Sequence, residues 1–168
     1  MRKYMTVFII ALGFIIASSS AVNAYDYNDW VPLLPESIGG MVVQGDPEGA
    51  NKERGGQFWS LLRQNYSDGD GNEMHLSIAA GPDAPGIREF ETMQQFNLET
   101  EEKKVQTLDI EGYKAVLDFS KTGGKSNLLI AIHDETVVVI ETASFDIEDD
   151  IVSLADDIPL SEIADSVS

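Results

Sequence analysis

The chain contains no cysteine. Disulfides are therefore excluded, as is a lipid anchor attached through a cysteine that follows a leader segment, so stability has to come from a packed core. With only two histidines and no thiol, a zinc site would need mixed histidine–carboxylate ligation. No H-E-x-x-H spacing is present, and surface histidine is the better reading of His75 and His133. Basic residues are scarce: 11 Lys and Arg stand against 29 Asp and Glu, a net charge of −18. Such a field repels nucleic acid and anionic lipid surfaces; it favours cations, basic partners and solubility. After residue 24 no apolar run approaches the ~20 residues that a membrane-spanning helix needs. Serines are plentiful, but no Gly-x-Ser-x-Gly elbow occurs. The carboxylate pairs Asp149–Asp150 and Asp156–Asp157 fall on the solvent side of a helical stripe, away from the desolvated setting a general acid requires. No catalytic set and no cofactor are expected.

What is present begins with a leader. Arg2 and Lys3 precede the apolar run Val7–Ile16 and a small-residue exit, Ser18–Ala24, with Val22 and Ala24 at the positions that govern cleavage. This predicts a secretory signal over residues 1–24 and one domain over residues 25–168, placed in the periplasm or secreted. All 29 acids and nine of the 11 bases follow Ala24. A domain of that length buries roughly 70% of its unfolded surface, enough for a self-sufficient core.

Along the domain, Val31-Pro-Leu-Leu-Pro35 reads as an extended segment that lays Trp30, Leu33 and Leu34 onto the core. Met41–Gln44 is a short strand, and polar Glu48–Gln57 is a loop. Phe58–Tyr66 and Glu73–Ala80 alternate as strands about the turn Ser67–Asn72. Gly81–Gly86 breaks the second strand, with Asp83 as cap of an amphipathic helix that carries Ile87, Phe90 and Met93. Val105–Ile110 is a strand, and Glu111–Thr142 holds three more; the last two are apolar on both faces and hence central. Asp146 caps a helix whose stripe is Ile147, Ile151, Leu154, Ala155 and Ile158; Pro159 stops it, and a short turn follows at the sheet edge. The fold class is α+β, a mostly antiparallel sheet flanked by helices.

Three motifs invite a chemical reading. Asp68-Gly-Asp-Gly-Asn72 opens like a calcium loop, but the sixth and twelfth positions are Glu73 and Ala79 in place of Gly and Glu. It reads as a hairpin turn, with Asp68 and Asp70 left as weak candidates for a cation. Thr122-Gly-Gly-Lys-Ser126 ends like a phosphate loop, but Phe119 stands where its first Gly belongs and a strand follows. It too reads as a turn. Trp30, Trp59 and Tyr66 would suit a stacking surface for sugar or peptide, although their size favours burial.

Leu33-Leu-Pro35 with Gly39-Gly40, Glu48-Gly49 and the strand ending in Tyr66 form one part of an outline, and Ile110-Glu-Gly-Tyr-Lys-Ala115 before two apolar strands and an acidic C-terminal helix forms the other. Together they resemble small exported bacterial proteins whose architecture is similar to the PsbP-like fold of the photosystem II extrinsic proteins. The resemblance implies an antiparallel sheet flanked by helices and a non-catalytic, interaction-type role; it transfers no binding residue and no thylakoid role. The expected function is an exported, non-enzymatic binding domain of the cell envelope, with an unknown protein or small ligand as partner. Its site is expected on the loops Glu48–Gln57 and Gly81–Gly86 or on the sheet edge. The alternative is a divalent-cation-dependent protein, with hydrolysis as the chemistry its acidic loops would serve. A third reading is an assembly subunit.

Overall fold

The computed structural model describes residues 25–143, Phe145 and residues 148–168. The expected signal, and Asp146 and Ile147 as cap and first stripe residue of a helix, lie outside the described residues.

The strands are β1 (Ser37–Ile38), β2 (Met41–Arg54), β3 (Gln57–Ser67), β4 (Glu73–Ala80), β5 (Leu98–Glu99), β6 (Lys103–Ile110), β7 (Tyr113–Ser120), β8 (Ser126–His133) and β9 (Thr136–Thr142). The helices are α1 (Ile87–Met93), α2 (Glu148–Ser153) and α3 (Leu160–Ser166). The strands form one nine-stranded sheet in the order β1-β2-β3-β4-β9-β8-β7-β6-β5, with every pairing antiparallel. This is the expected α+β class, with the sheet predominating and the helices short. β9 lies at the centre between β4 and β8, as its two apolar faces require.

The two faces are covered unequally. One carries the main core, from Leu62 and Tyr66 across Leu76 and Ile140 to Leu117. Trp30, 1% exposed, packs into it from the N-terminal lead, and Ile151, Leu154, Ile158 and Ile163 pack from the C-terminal segment. The Lys104 ammonium, 2.7 Å from Glu148, ties α2 to β6, and the Glu148 carboxylate beside it raises the lysine's pKa. The opposite face has a smaller core in which Phe90 of α1 meets Ala79, Val116, Leu129 and Val137.

Several expectations need correction. Glu48–Gln57 is not a loop: β2 runs on to Arg54, and only Gly55-Gly56 turns the chain into β3. The stretch lacks β-branched and aromatic residues, but β3 supplies a rigid template with Trp59 and Leu61, and context outweighs intrinsic preference. Gly45-Asp-Pro47, between the expected short strand and the expected loop, is a bulge within β2: Gln44 pairs with Asn65 and Glu48 with Arg63, so β2 carries two extra residues. The Gln64 side chain, buried beneath it, donates to the carbonyls of Gln44 (3.1 Å) and Gly45 (3.4 Å) that the bulge frees. Asp83 does not cap α1. Gly86 holds that position with φ of 90° and no side-chain cap, while Asp83 pairs with Arg88. The lead to Pro35 forms two 3₁₀ turns, Tyr27–Asp29 and Val31–Leu33, in place of an extended segment. The C-terminal stripe tightens into a 3₁₀ turn over Leu154–Asp157. The short turn expected after Pro159 is the two-turn helix α3, which lies against β8.

Tyr66 yields a pH prediction. Its hydroxyl donates to the Pro35 carbonyl at 2.9 Å, and burial pushes the phenol from 10.0 up to about 12. The folded state thus favours the protonated form. That stability is complete below the unfolded pKa and is lost as pH rises from 10.0 to about 12, by up to ~1.4 kcal/mol per pH unit. Tyr66→Phe should cost about 1 kcal/mol at neutral pH, but flatten the loss above pH 10. Urea melts at pH 8, 10 and 11 check this; an unchanged alkaline slope in the variant would contradict it.

Candidate functional site

The half of the smaller-core face that α1 leaves uncovered is a polar groove. Strand alternation places Trp59, Leu61, Arg63 and Asn65 on this face of β3, while Ser60, Leu62, Gln64 and Tyr66 point into the main core. At ~3.3 Å per residue, Trp59 and Asn65 lie roughly 20 Å apart. Two cavities of about 1070 Å³ and 640 Å³ follow this line and share the wall Pro85, Gly86 and Glu89. Gly86 rests on the sheet: a Cβ there would stand 3.1 Å from Val137 Cγ1 and 3.2 Å from Val139 Cγ2. The absence of a side chain therefore lets the wall sit down on the groove floor.

Cross-strand register builds the polar end. Asn65, His75, Glu141, Asn127 and Asp118 face one another in turn across β3, β4, β9, β8 and β7. His75 Nδ1 is 2.6 Å from Asn65 Oδ1. Lys125 Nζ reaches Glu141 at 2.7 Å, and Lys103 Nζ reaches the nearly buried Asp118 at 2.8 Å. The next row runs Glu48, Arg63, Ser77 and Val139, changing from polar to apolar where α1 takes over the cover. Arg63 Nε donates to Ser77 Oγ at 3.4 Å, and among the described residues Arg63 has no carboxylate partner. At the other end the Lys52 ammonium stands 5.0 Å from the centre of the Trp59 ring.

The groove concentrates the chain's scarce bases. Of the nine that follow Ala24, Lys52, Arg63, Arg88 and Lys125 line it. Arg88 and Lys125 are paired with Asp83 and Glu141, while Glu48, Glu53 and Glu89 balance Lys52 and Arg63. Local charge is thus close to even in a strongly acidic molecule.

The sequence candidates scatter. Asp68 spends its carboxylate on its own turn: Oδ1 accepts from the Asp70 and Asn72 amides at 2.8 and 3.0 Å, and Oδ2 from the Asn72 side chain at 2.6 Å. The Asn72 hydrogen bonds hold its pKa below 3.8. Asp70 is exposed at the tip, and among the described residues no group of three or more His, Asp or Glu is placed to hold a metal. The Gly-Gly-Lys-Ser segment is the β7–β8 turn, with Gly124 N donating to Ser120 Oγ at 2.9 Å. Trp30 and Tyr66 are buried in the main core, so Trp59 alone of the three aromatics reaches the groove. His75 lies in the groove; His133 sits at the far end of β8 beside Ala164. The loop Gly81–Gly86 does contribute, as one wall. Arg63 is not legible as a site residue in the sequence because its place depends on the cross-strand register that sets it between Glu48 and Ser77, which a single strand does not display.

None of the protein-family models, curated proteins or solved structures compared with this chain matches it. Among the described residues no helix is long and apolar enough to cross a membrane.

Proposed function

We propose that the protein is an exported, non-enzymatic binding domain of the cell envelope, and that the groove along β3 is where its partner or ligand docks. We further propose that its architecture is of the PsbP-like kind, a sheet flanked by helices. The observation that carries the binding reading is the groove itself: about 20 Å of side chains along one strand, close to charge balance and walled by Pro85 and Gly86. The polar side chains favour recognition over chemistry. Among the described residues His75 hydrogen-bonds with Asn65 and Ser77 with Arg63, rather than with each other as a hydroxyl–imidazole pair would.

Arg63→Glu tests the reading. Arg63 is exposed and makes one long side-chain hydrogen bond, so stability should change by no more than ~0.5 kcal/mol. Retention of the purified full chain by an extract of its native envelope should fall by about tenfold, the loss expected when a charged hydrogen-bonding group is reversed. Unaltered retention would remove the groove from the function.

A further inference from the structure

We infer that the groove takes a neutral, hydroxyl-rich chain, a short oligosaccharide, with Trp59 as its stacking platform and Arg63 and Asn65 at its hydroxyl-binding end. This rests on reading the groove as the binding site and names the class of ligand.

The sheet itself narrows the choice. β3 is hydrogen-bonded along both edges, to β2 and to β4. A ligand lying over its face meets side chains only and cannot add a strand, which removes the main source of affinity for an extended peptide. Those side chains interleave donors and acceptors. Arg63 donates only, Glu48 and Glu89 accept only, and Ser77, Asn65 and Asn127 do both. A hydroxyl, which donates and accepts, satisfies such a mixture at every point. A carboxylate would leave the glutamates facing like charge, and an ammonium would do the same to Arg63 and Lys52.

Charge points the same way. The field of a chain with net charge −18 holds anions off at long range, while in the groove the four bases are matched by acids, so the lining offers a cation little net attraction of its own. A neutral ligand suits such a balanced lining. The half-buried Trp59 ring gives the groove one apolar platform, suited to the C–H face of a sugar ring. The Lys52 ammonium now stands over that ring, and a stacking ligand would take its place.

The chain has two tryptophans, and Trp30 is buried in the main core, so ligand-dependent emission reports on Trp59. The purified full chain is titrated with cellotetraose, maltotetraose and chitotetraose, and separately with tetragalacturonate and an uncharged hexapeptide. At least one neutral tetrasaccharide should produce a saturable change in emission. The change should vanish in Trp59→Phe. Affinity should weaken about tenfold in Arg63→Ala and tighten about two- to fivefold in Lys52→Ala, which uncovers the ring. Thermal melts establish that each variant is folded, and Arg63→Ala, at an exposed position, carries the test if Trp59→Phe is not.

No response to any neutral tetrasaccharide would overturn the inference, as would a response that Trp59→Phe retains. Binding of tetragalacturonate or the hexapeptide alone, lost in Arg63→Ala, would overturn the neutral oligosaccharide as ligand while leaving the groove as the binding site. Failure of the groove itself would show separately, as unaltered envelope retention of Arg63→Glu.

Discussion

Gly81→Ala should lower the unfolding free energy by about 3 kcal/mol or more, the largest loss expected for so small a change. Gly81 follows β4 with φ of +108°, a conformation that L side chains rarely adopt. A Cβ there would lie 2.4 Å from the Phe58 carbonyl oxygen and 2.8 Å from Trp59 Cα. Both are backbone atoms of β3, so no rotamer change relieves the clash. The Gly81 amide also donates to the Glu135 carbonyl at 2.8 Å, fixing the start of the loop that walls the groove. Gly112→Ala is the control. Its φ is +90°, but nothing lies within 4 Å of the added atom, so only conformational strain of about 1 kcal/mol should appear. Urea unfolding of the two variants separates strain from close approach, and equal losses would contradict the close approach at Gly81.

Phe90→Ala should cost about 3–5 kcal/mol and detach the groove wall. Phe90, 7% exposed, is the one fully buried side chain of α1 and the centre of the smaller core. The helix has seven residues and no side-chain cap, so it persists through packing more than through its own propensity. Loss of the ring should leave the main core intact, since Phe90 belongs to the opposite face. Hydrogen exchange should therefore quicken in α1 and at Leu129 and Val137, while Leu76 and Ile140 change only with global stability. Uniform acceleration would indicate that the two cores unfold as one unit.

The central sheet was legible in the sequence because its pattern is local. Leu128–Ile132 and Val137–Ile140 are apolar on both faces, and the structure places β8 and β9 in mid-sheet. The hairpin turns at Asp68–Asn72 and Thr122–Lys125 declared themselves through Gly and Asp, whose preferences also depend on near neighbours. What was not legible depended on distant partners. The outer part of β2 has a loop-like composition and exists because β3 templates it. Gln64 looks like a misplaced polar residue until the bulge carbonyls above it are seen. The groove is a property of register: Asn65, His75, Glu141 and Asn127 come from four strands, and no spacing along the chain brings them together. Asp68 and Asp70 look like cation ligands because they lie two residues apart in an Asp-Gly-Asp-Gly-Asn run, yet the fold uses Asp68 to close its turn.

Docking in the groove is tested most directly by hydrogen–deuterium exchange of the full chain, measured with and without an extract of the native envelope. The expected result is slowed exchange over Leu61–Asn65, Gly86–Glu89 and Lys125–Asn127, the backbone beneath and beside the groove, with the C-terminal helices on the opposite face unaltered. Protection confined to those helices or to the outer edges of β2 and β6, or no protection anywhere, would contradict it.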